Sequence, residues 1–229
     1  MTSLVRAMRL LQFGDSMLPV GSFAFSNGLE SAVQQKVVRD LPTLREFIET
    51  ALVQAASCDG IALLAAHRAA CVGDAAGVIA ADHAVLLRKL NEEMRTMTLR
   101  MGRKLGELVA HAAPHPLVTR WLADIEAGAT PGTHPAGLGV VGAALGLRED
   151  DIFAAHQYGV AAMMASAALR LMRVSHLDGQ ALLHALGGTA DRAYATAARA
   201  SLDDMATFAP IADILASVHV NAHVRMFMN

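Results

Sequence analysis

Histidines, cysteines and a glycine triplet are the residues of this chain whose types and spacing could do chemistry. There are ten histidines among 229 residues. His219 and His223 stand four apart in a stretch of helical pattern, a spacing that lets both rings face one ion. His111 and His115 share it, but Pro114 falls between them and breaks the geometry. His67 and Cys71 form a third such pair. Two ligands on one helix make a weak metal site, and surface or hydrogen-bonded histidine is the simpler reading. Gly137-Leu138-Gly139-Val140-Val141-Gly142 satisfies GxGxxG. A dinucleotide fingerprint must follow a strand and open a helix, whereas Thr133-His134-Pro135 precedes this one. The glycines are therefore read as facing a neighbouring helix. No Walker motif, nucleophile elbow or Cys/His triad stands out, so no catalytic residue and no cofactor is assigned. A helical metal-binding regulator or enzyme built on the His219/His223 face stays open as the alternative.

The most distinctive segment is Leu10 to Glu30. An apolar helical start runs into irregular sequence carrying Phe13, Phe23, Phe25, Pro19, Gly14 and Gly21. Pro19 biases Leu18 away from helical angles, and the glycines adopt angles closed to other residues. Ser26-Asn27 offers oxygens to cap a helix opening at Gly28-Leu29-Glu30, with Glu30 placed to complement its dipole. Aromatics in a loop are pinned to their own core or present a partner-binding surface. Pro19, Gly21, Phe23, Ser26 and Glu30 are the candidates for such a surface here.

Elements of helical period must hold these residues. Asp40 or Thr43 caps a helix through Phe47 and Leu52, with Glu46 completing a box if Thr43 is the cap. Ser57-Cys58-Asp59 is read as opening the next helix, to Gly73, and Asp74 another, to Leu90. A Met/Leu stripe at three and four spacing fills 91–113, ended by Pro114 and Pro116. A short helix surrounds Trp121, and a Gly/Pro-rich link runs from Gly128 to Pro135. Residues 136–146, 149–174, 178–200 and 210–226 complete the set, the second apolar on most faces and so central. With no alternating β-branched run, the chain is expected to be an all-α, single-domain bundle of about ten helices over residues 1–229.

Composition agrees. Hydrophobic residues make up 54% and charged ones 17%, so closely packed small helices are expected. A net charge of −2 excludes the basic stripe of a nucleic-acid binder. Mean hydropathy of +0.37 raises the question of a membrane. The uncharged run Gln157–Leu169 is too short to span one, and Ala127–Leu147 is broken by glycines and prolines. Arg6 and Arg9 precede no signal-like apolar run. The expectation is a cytoplasmic protein with surplus apolar surface for a partner. Cys58 and Cys71 lie in alanine-rich helical sequence and read as small buried apolar residues. Arg95, Arg100 and Arg103, with Glu92 and Glu93 nearby, read as a solvated face.

Several of these stretches together resemble the urease accessory protein F (UreF) family. They are Leu10-Leu11-Gln12, Leu18-Pro19-Val20-Gly21-Ser22-Phe23, Asn27-Gly28-Leu29-Glu30, Asp59-Gly60, Met101-Gly102-Arg103-Lys104-Leu105, His134-Pro135 through Leu147, Asp178-Gly179-Gln180 and Phe208-Ala209-Pro210. Phe13-Gly14-Asp15 and Phe25-Ser26-Asn27 depart from the commonest wording, as in a divergent member. At the C-terminus His219, Arg225 and Phe227 fit the family pattern, while Val220 replaces its glutamate. The resemblance implies a non-enzymatic nickel-insertion chaperone. It would dock on a UreD (UreH) scaffold, recruit the UreG GTPase, serve the urease apoprotein and work as a homodimer, with nickel as passing cargo. Arg225 and Phe227 join the partner-binding candidates, in a tail that either docks on the scaffold or folds back on the core.

Two outcomes are expected. Gly21→Val costs about 1–3 kcal/mol if Gly21 is left-handed, read from the melting temperature and from partner binding. Deleting residues 224–229 leaves thermal stability nearly intact but weakens scaffold capture roughly tenfold.

Overall fold

The computed structural model describes residues 3–219 together with Met226 and Phe227, and of His219 only the backbone. Among these residues there is no strand. The elements are α1 (Ser3–Phe13), α2 (Leu29–Gln34), α3 (Leu41–Ala55), α4 (Ile61–Cys71), α5 (Ala75–Leu87), α6 (Glu92–Ala112), α7 (Pro116–Glu126), α8 (His134–Leu145), α9 (Glu149–Leu171), α10 (His176–Gly187), α11 (Ala190–Ala197) and α12 (Pro210–His219). The all-α expectation holds, and so do most caps. Asp40 caps α3 with Thr43 in a reciprocal box, Asp74 Oδ1 accepts from Gly77 N, and Asn91 Oδ1 accepts from Met94 N.

Four boundaries differ from the sequence reading, each for a local reason. No new helix opens at Ser57: α3 and α4 form one rod, Leu41–Cys71, joined by a π turn over Ala56–Gly60. The 178–200 helix is two, because Gly187-Gly188-Thr189 interrupts it. Its start is Ser175, whose hydroxyl accepts from Asp178 N while Asp178 accepts in return from Ser175 N. α5 stops at Leu87, which frees Arg88 and Lys89 to turn inward.

Two large apolar clusters make most of the interior, beside a small one of Ala66, Ala81 and Ala136, and α9 belongs to both large ones. Its first turns place Ile152 and Phe153 among residues of α4, α5 and α8. Its last turns place Met164, Ala167 and Ala168 with Leu44 and Ile48 of α3, Leu29 of α2 and Leu215 of α12. The glycines of GxGxxG serve packing. A Cβ on Gly139 would stand 2.5 Å from Leu63 O of α4, and one on Gly137 would stand 2.4 Å from the Trp121 ring.

Two helical stretches, Leu41–Cys71 and Glu149–Leu171, are long and apolar enough to cross a membrane by length and composition. This corrects the length argument from Gln157–Leu169, since α9 runs 23 residues. Over half of each apolar window, 56%, is buried inside the protein, as core helices require.

Candidate functional site

Polar groups gather where the two clusters meet. The π turn projects Asp59 from the α3–α4 rod, a device common at functional positions. Gly60 is required beside it, because a Cβ there would stand 2.6 Å from the Phe153 ring. Gln157 of α9 braces the turn. With its amide oriented by hydrogen bonding, it donates to Leu52 O and accepts from Ala56 N. Lys89, in the α5–α6 link, donates to both Asp59 oxygens at 2.7 and 2.8 Å. Arg95 holds that link by donating to Lys89 O at 2.7 Å.

His134 and His156 complete the group. His156 Nε2 lies 4.0 Å from Asp59 Oδ2, and the two imidazole rings stack with centroids 6.4 Å apart. His134 opens α8 and is positioned by a separate buried anchor, Asp82. The Asp82 carboxylate accepts from Thr130 Oγ1, Gly132 N and Thr133 N at 2.7–2.8 Å, and from Trp121 Nε1 at 3.4 Å. Thr98 Oγ1 of α6 accepts from His134 N. Gly102 lets α6 approach, since a Cβ there would overlap Gly132 O.

Electrostatics follow from burial and pairing. Burial pushes the Asp59 carboxyl up, but the Lys89 ammonium and then His156 outweigh it and hold the group below the usual carboxylate range. Burial likewise opposes the Lys89 charge, and Asp59 overcomes it, leaving the ammonium above its ordinary value. Burial keeps His156 neutral against the pull of Asp59. His134 is lowered to about 3, first by burial and then by His156. Cys58, next to Asp59, is raised to about 12 by burial and by that carboxylate. Such a thiol is inert.

A cavity of about 100 Å³ lies against this group. Its wall is the signature loop from Phe13 to Ser22, with Asp59, Lys89, Thr98, His134, His156 and Met163 opposite. Phe13 and Phe25 are buried and pin the loop, while Pro19, Gly21 and Phe23 are exposed. Gly21 has φ +94° with no neighbour within 4 Å of a built Cβ, the left-handed conformation expected of it. Gly14 closes the loop onto α9, where a Cβ would meet that of Ala155 at 2.9 Å.

The remaining sequence candidates divide by burial. Ser26 is fully buried and its hydroxyl accepts from Glu30 N. Glu30, 3% exposed, accepts from Met226 N and Phe227 N at 2.8 and 3.0 Å. Phe227 is 5% exposed, and the Arg170 guanidinium lies 4.0 Å from the centroids of both Phe227 and Phe23. Met226 and Phe227 thus lie against Glu30 of α2 and Arg170 of α9, which is the folded-back alternative for these two residues. Arg225, His223 and the His219 side chain lie outside the described residues. His67 Nε2 bonds Leu147 O, and Cys71 is exposed rather than buried. Among the described residues no three of His, Cys, Asp and Glu gather to hold a metal. Sequence reasoning named Asp59 and His134 only as motif positions and missed Lys89 and His156. The available signal was a lone charge or imidazole inside an apolar run.

The class of protein defined so far is an all-helical body with a buried Asp59–Lys89 ion pair inside and an aromatic loop exposed on its surface. Comparison with known proteins narrows it. The UreF family model matches residues 38–187. Urease accessory protein UreF of Yersinia enterocolitica is 52% identical over 222 residues, covering 97% of both chains. Urease accessory protein UreF 2 of Brucella canis is 56% identical over 227 residues, 99% of this chain and 93% of its own. UreF 1 of Brucella melitensis is likewise 56% identical over 227 residues. The chain belongs to the UreF family.

Two measurements test this geometry. Both imidazoles are depressed below the ordinary 6.5, so on acidification the unfolded chain takes up protons that the folded chain refuses. Their contribution is complete above about 6.5 and declines as pH falls toward the folded values. That of Asp59 is lost lower still, through its own depressed value. The melting temperature should therefore fall steadily below about pH 6.5, and a flat profile from pH 7 to about 5 refutes the assignment. Phe227→Ala should cost about 2–4 kcal/mol in chemical denaturation, and an unchanged midpoint would detach the chain end from the core.

Proposed function

We propose that this protein is a non-enzymatic accessory factor of urease maturation. It docks on a UreD-like (UreH) scaffold, recruits a UreG-like GTPase and regulates delivery of nickel, as cargo, to the urease apoprotein in the cytoplasm. It acts as a homodimer within that complex. The observation that carries this reading is 52–56% identity over nearly the whole chain to proteins named urease accessory proteins.

The surface gives physical support. Leu4, Met8 and Leu11 line α1 at 68–77% exposure, Ile211 and Ile214 stand on α12 at 64% and 61%, and Phe208 is 88% exposed. Apolar residues set at helical spacing and left in water are usual where another protein docks. Pro19, Gly21 and Phe23 stand exposed on the signature loop, and Arg170 beneath joins that loop to Phe227. The loop and the chain end are read as one partner-facing unit, with Ser26 and Glu30 shaping it from beneath.

The test is co-expression of urease structural and accessory genes with and without this chain. Omission should leave urease inactive and nickel-poor, and affinity-tagged chain should retain the scaffold protein. Fully active, nickel-replete urease in its absence would overturn the reading. Phe23→Ala is expected to weaken scaffold or GTPase retention about tenfold while leaving the fold intact.

A further inference from the structure

A groove of about 520 Å³ runs between α3 and the link that leads into α12. The link is fixed to the π turn at its base. Ala206 N donates to Ser57 O at 3.1 Å, and Ser57 Oγ donates to Ala206 O and Gln54 O at 3.0 and 3.2 Å. Two residues further on, the Phe208 ring lines the groove and stands 88% exposed, and Val53 of α3 lines it at 69%. Large apolar groups held together in water on a preformed groove mark a contact surface.

The polar groups decide what covers it. Every side-chain donor in the lining is committed within the protein. The Thr50 hydroxyl donates to Glu46 O at 2.9 Å, Gln54 Nε2 donates to the Asp213 carboxylate at 3.3 and 3.5 Å, and the Ser57 hydroxyl holds the link. What remains for a ligand is acceptor and negative charge. Glu49 accepts from Arg45 Nε through Oε1 at 2.8 Å and keeps Oε2, while Glu46 has no ion pair among the described residues. No Lys, Arg or His lines the groove. An acidic segment would be repelled, and a wholly apolar one would cover two carboxylates without pairing them. A guanidinium meets both requirements, because its planar face stacks on an aromatic ring while its fork donates to carboxylates.

We propose that this groove docks an arginine-bearing segment of a partner protein, with an apolar residue next to the arginine. The guanidinium lies on the Phe208 ring and donates to Glu46 and Glu49, and the neighbouring apolar side chain covers Val53. A volume of about 520 Å³ is within the range of preformed ligand sites and has room for both side chains. The carboxylates stay near solvent, so they contribute orientation and salt sensitivity more than affinity. This surface is separate from the signature loop, none of whose residues lines it. The inference rests on the proposed function only in taking a protein as the partner.

The experiment titrates the full-length protein with the blocked peptide acetyl-Leu-Arg-Leu-amide and follows the backbone amides of Thr50, Val53 and Ala206 by nuclear magnetic resonance. Saturable shifts are expected, weakening with added salt, and the same peptide with neutral citrulline in place of arginine should bind about tenfold more weakly. Glu46→Gln/Glu49→Gln and Phe208→Ala should each weaken the arginine peptide about tenfold. The groups they change are at the surface, so the melting temperature should not move. In a second arm, tagged wild-type chain and the double glutamine variant are compared for retention of co-expressed scaffold and GTPase, and the variant should retain one of them about tenfold less. Absence of saturable peptide binding, equal binding of the citrulline peptide, equal affinity for methylguanidinium alone, or undiminished partner retention by the double variant would each overturn the proposal. A wild-type chain that retains neither partner counts instead against the role in urease maturation, and the peptide titration then decides this inference by itself.

Discussion

The Asp59–Lys89 ion pair is the contact on which the arrangement of this molecule depends. It sits where two apolar clusters meet, and each partner is delivered by a departure from regular helix. Asp59 comes from a π turn in the α3–α4 rod, and Lys89 from a link that begins because α5 stops early. A buried pair of this kind adds little net stability, since two desolvated charges offset most of their mutual attraction. What it imposes is register: the rod, the α5–α6 link and the face of α9 carrying His156 have one mutual arrangement that leaves neither charge stranded.

A second polar anchor works on the same principle. Asp82 gathers the ends of a Gly/Pro-rich link and sets the first residue of α8 against α6. Glycines at 102 and 139 then allow backbones to approach closely, and Gly137 leaves room for the Trp121 ring. The low aromatic content of the chain reflects that closeness. The few aromatics present are spent at joints: Trp121 under α8, Phe153 against the π turn, and Phe23 and Phe227 about Arg170.

The same construction joins the interior to the signature loop. The signature loop is fixed at Phe13 and Phe25 and leaves Phe23 in solvent, where its ring and the chain end share one guanidinium. The exposed loop is therefore tied to α9 through Arg170, on the same helix that carries His156.

Helical period, caps and proline stops were legible residue by residue because they are local. Asp40, Asp74 and Asn91 begin their helices wherever the chain goes, and Pro114 ends one whatever packs beside it. The family was legible too, since its motifs are contiguous. Continuity across Ser57 was not, because a π turn differs from a helix start only by which backbone bonds close, and those are settled by Phe153 and Gln157 from far along the chain. Nor was the cluster at Asp59, Lys89, His134 and His156. Each of these residues looks alone like a surface charge or a stray imidazole, and only packing of α4, α8 and α9 around the α5–α6 link makes them neighbours. The chain end shows the same division: Arg225 and Phe227 were marked by pattern, but burial of Phe227 against Glu30 and Arg170 belongs to the tertiary structure. The reason is desolvation, which acts on groups only once distant segments have closed around them.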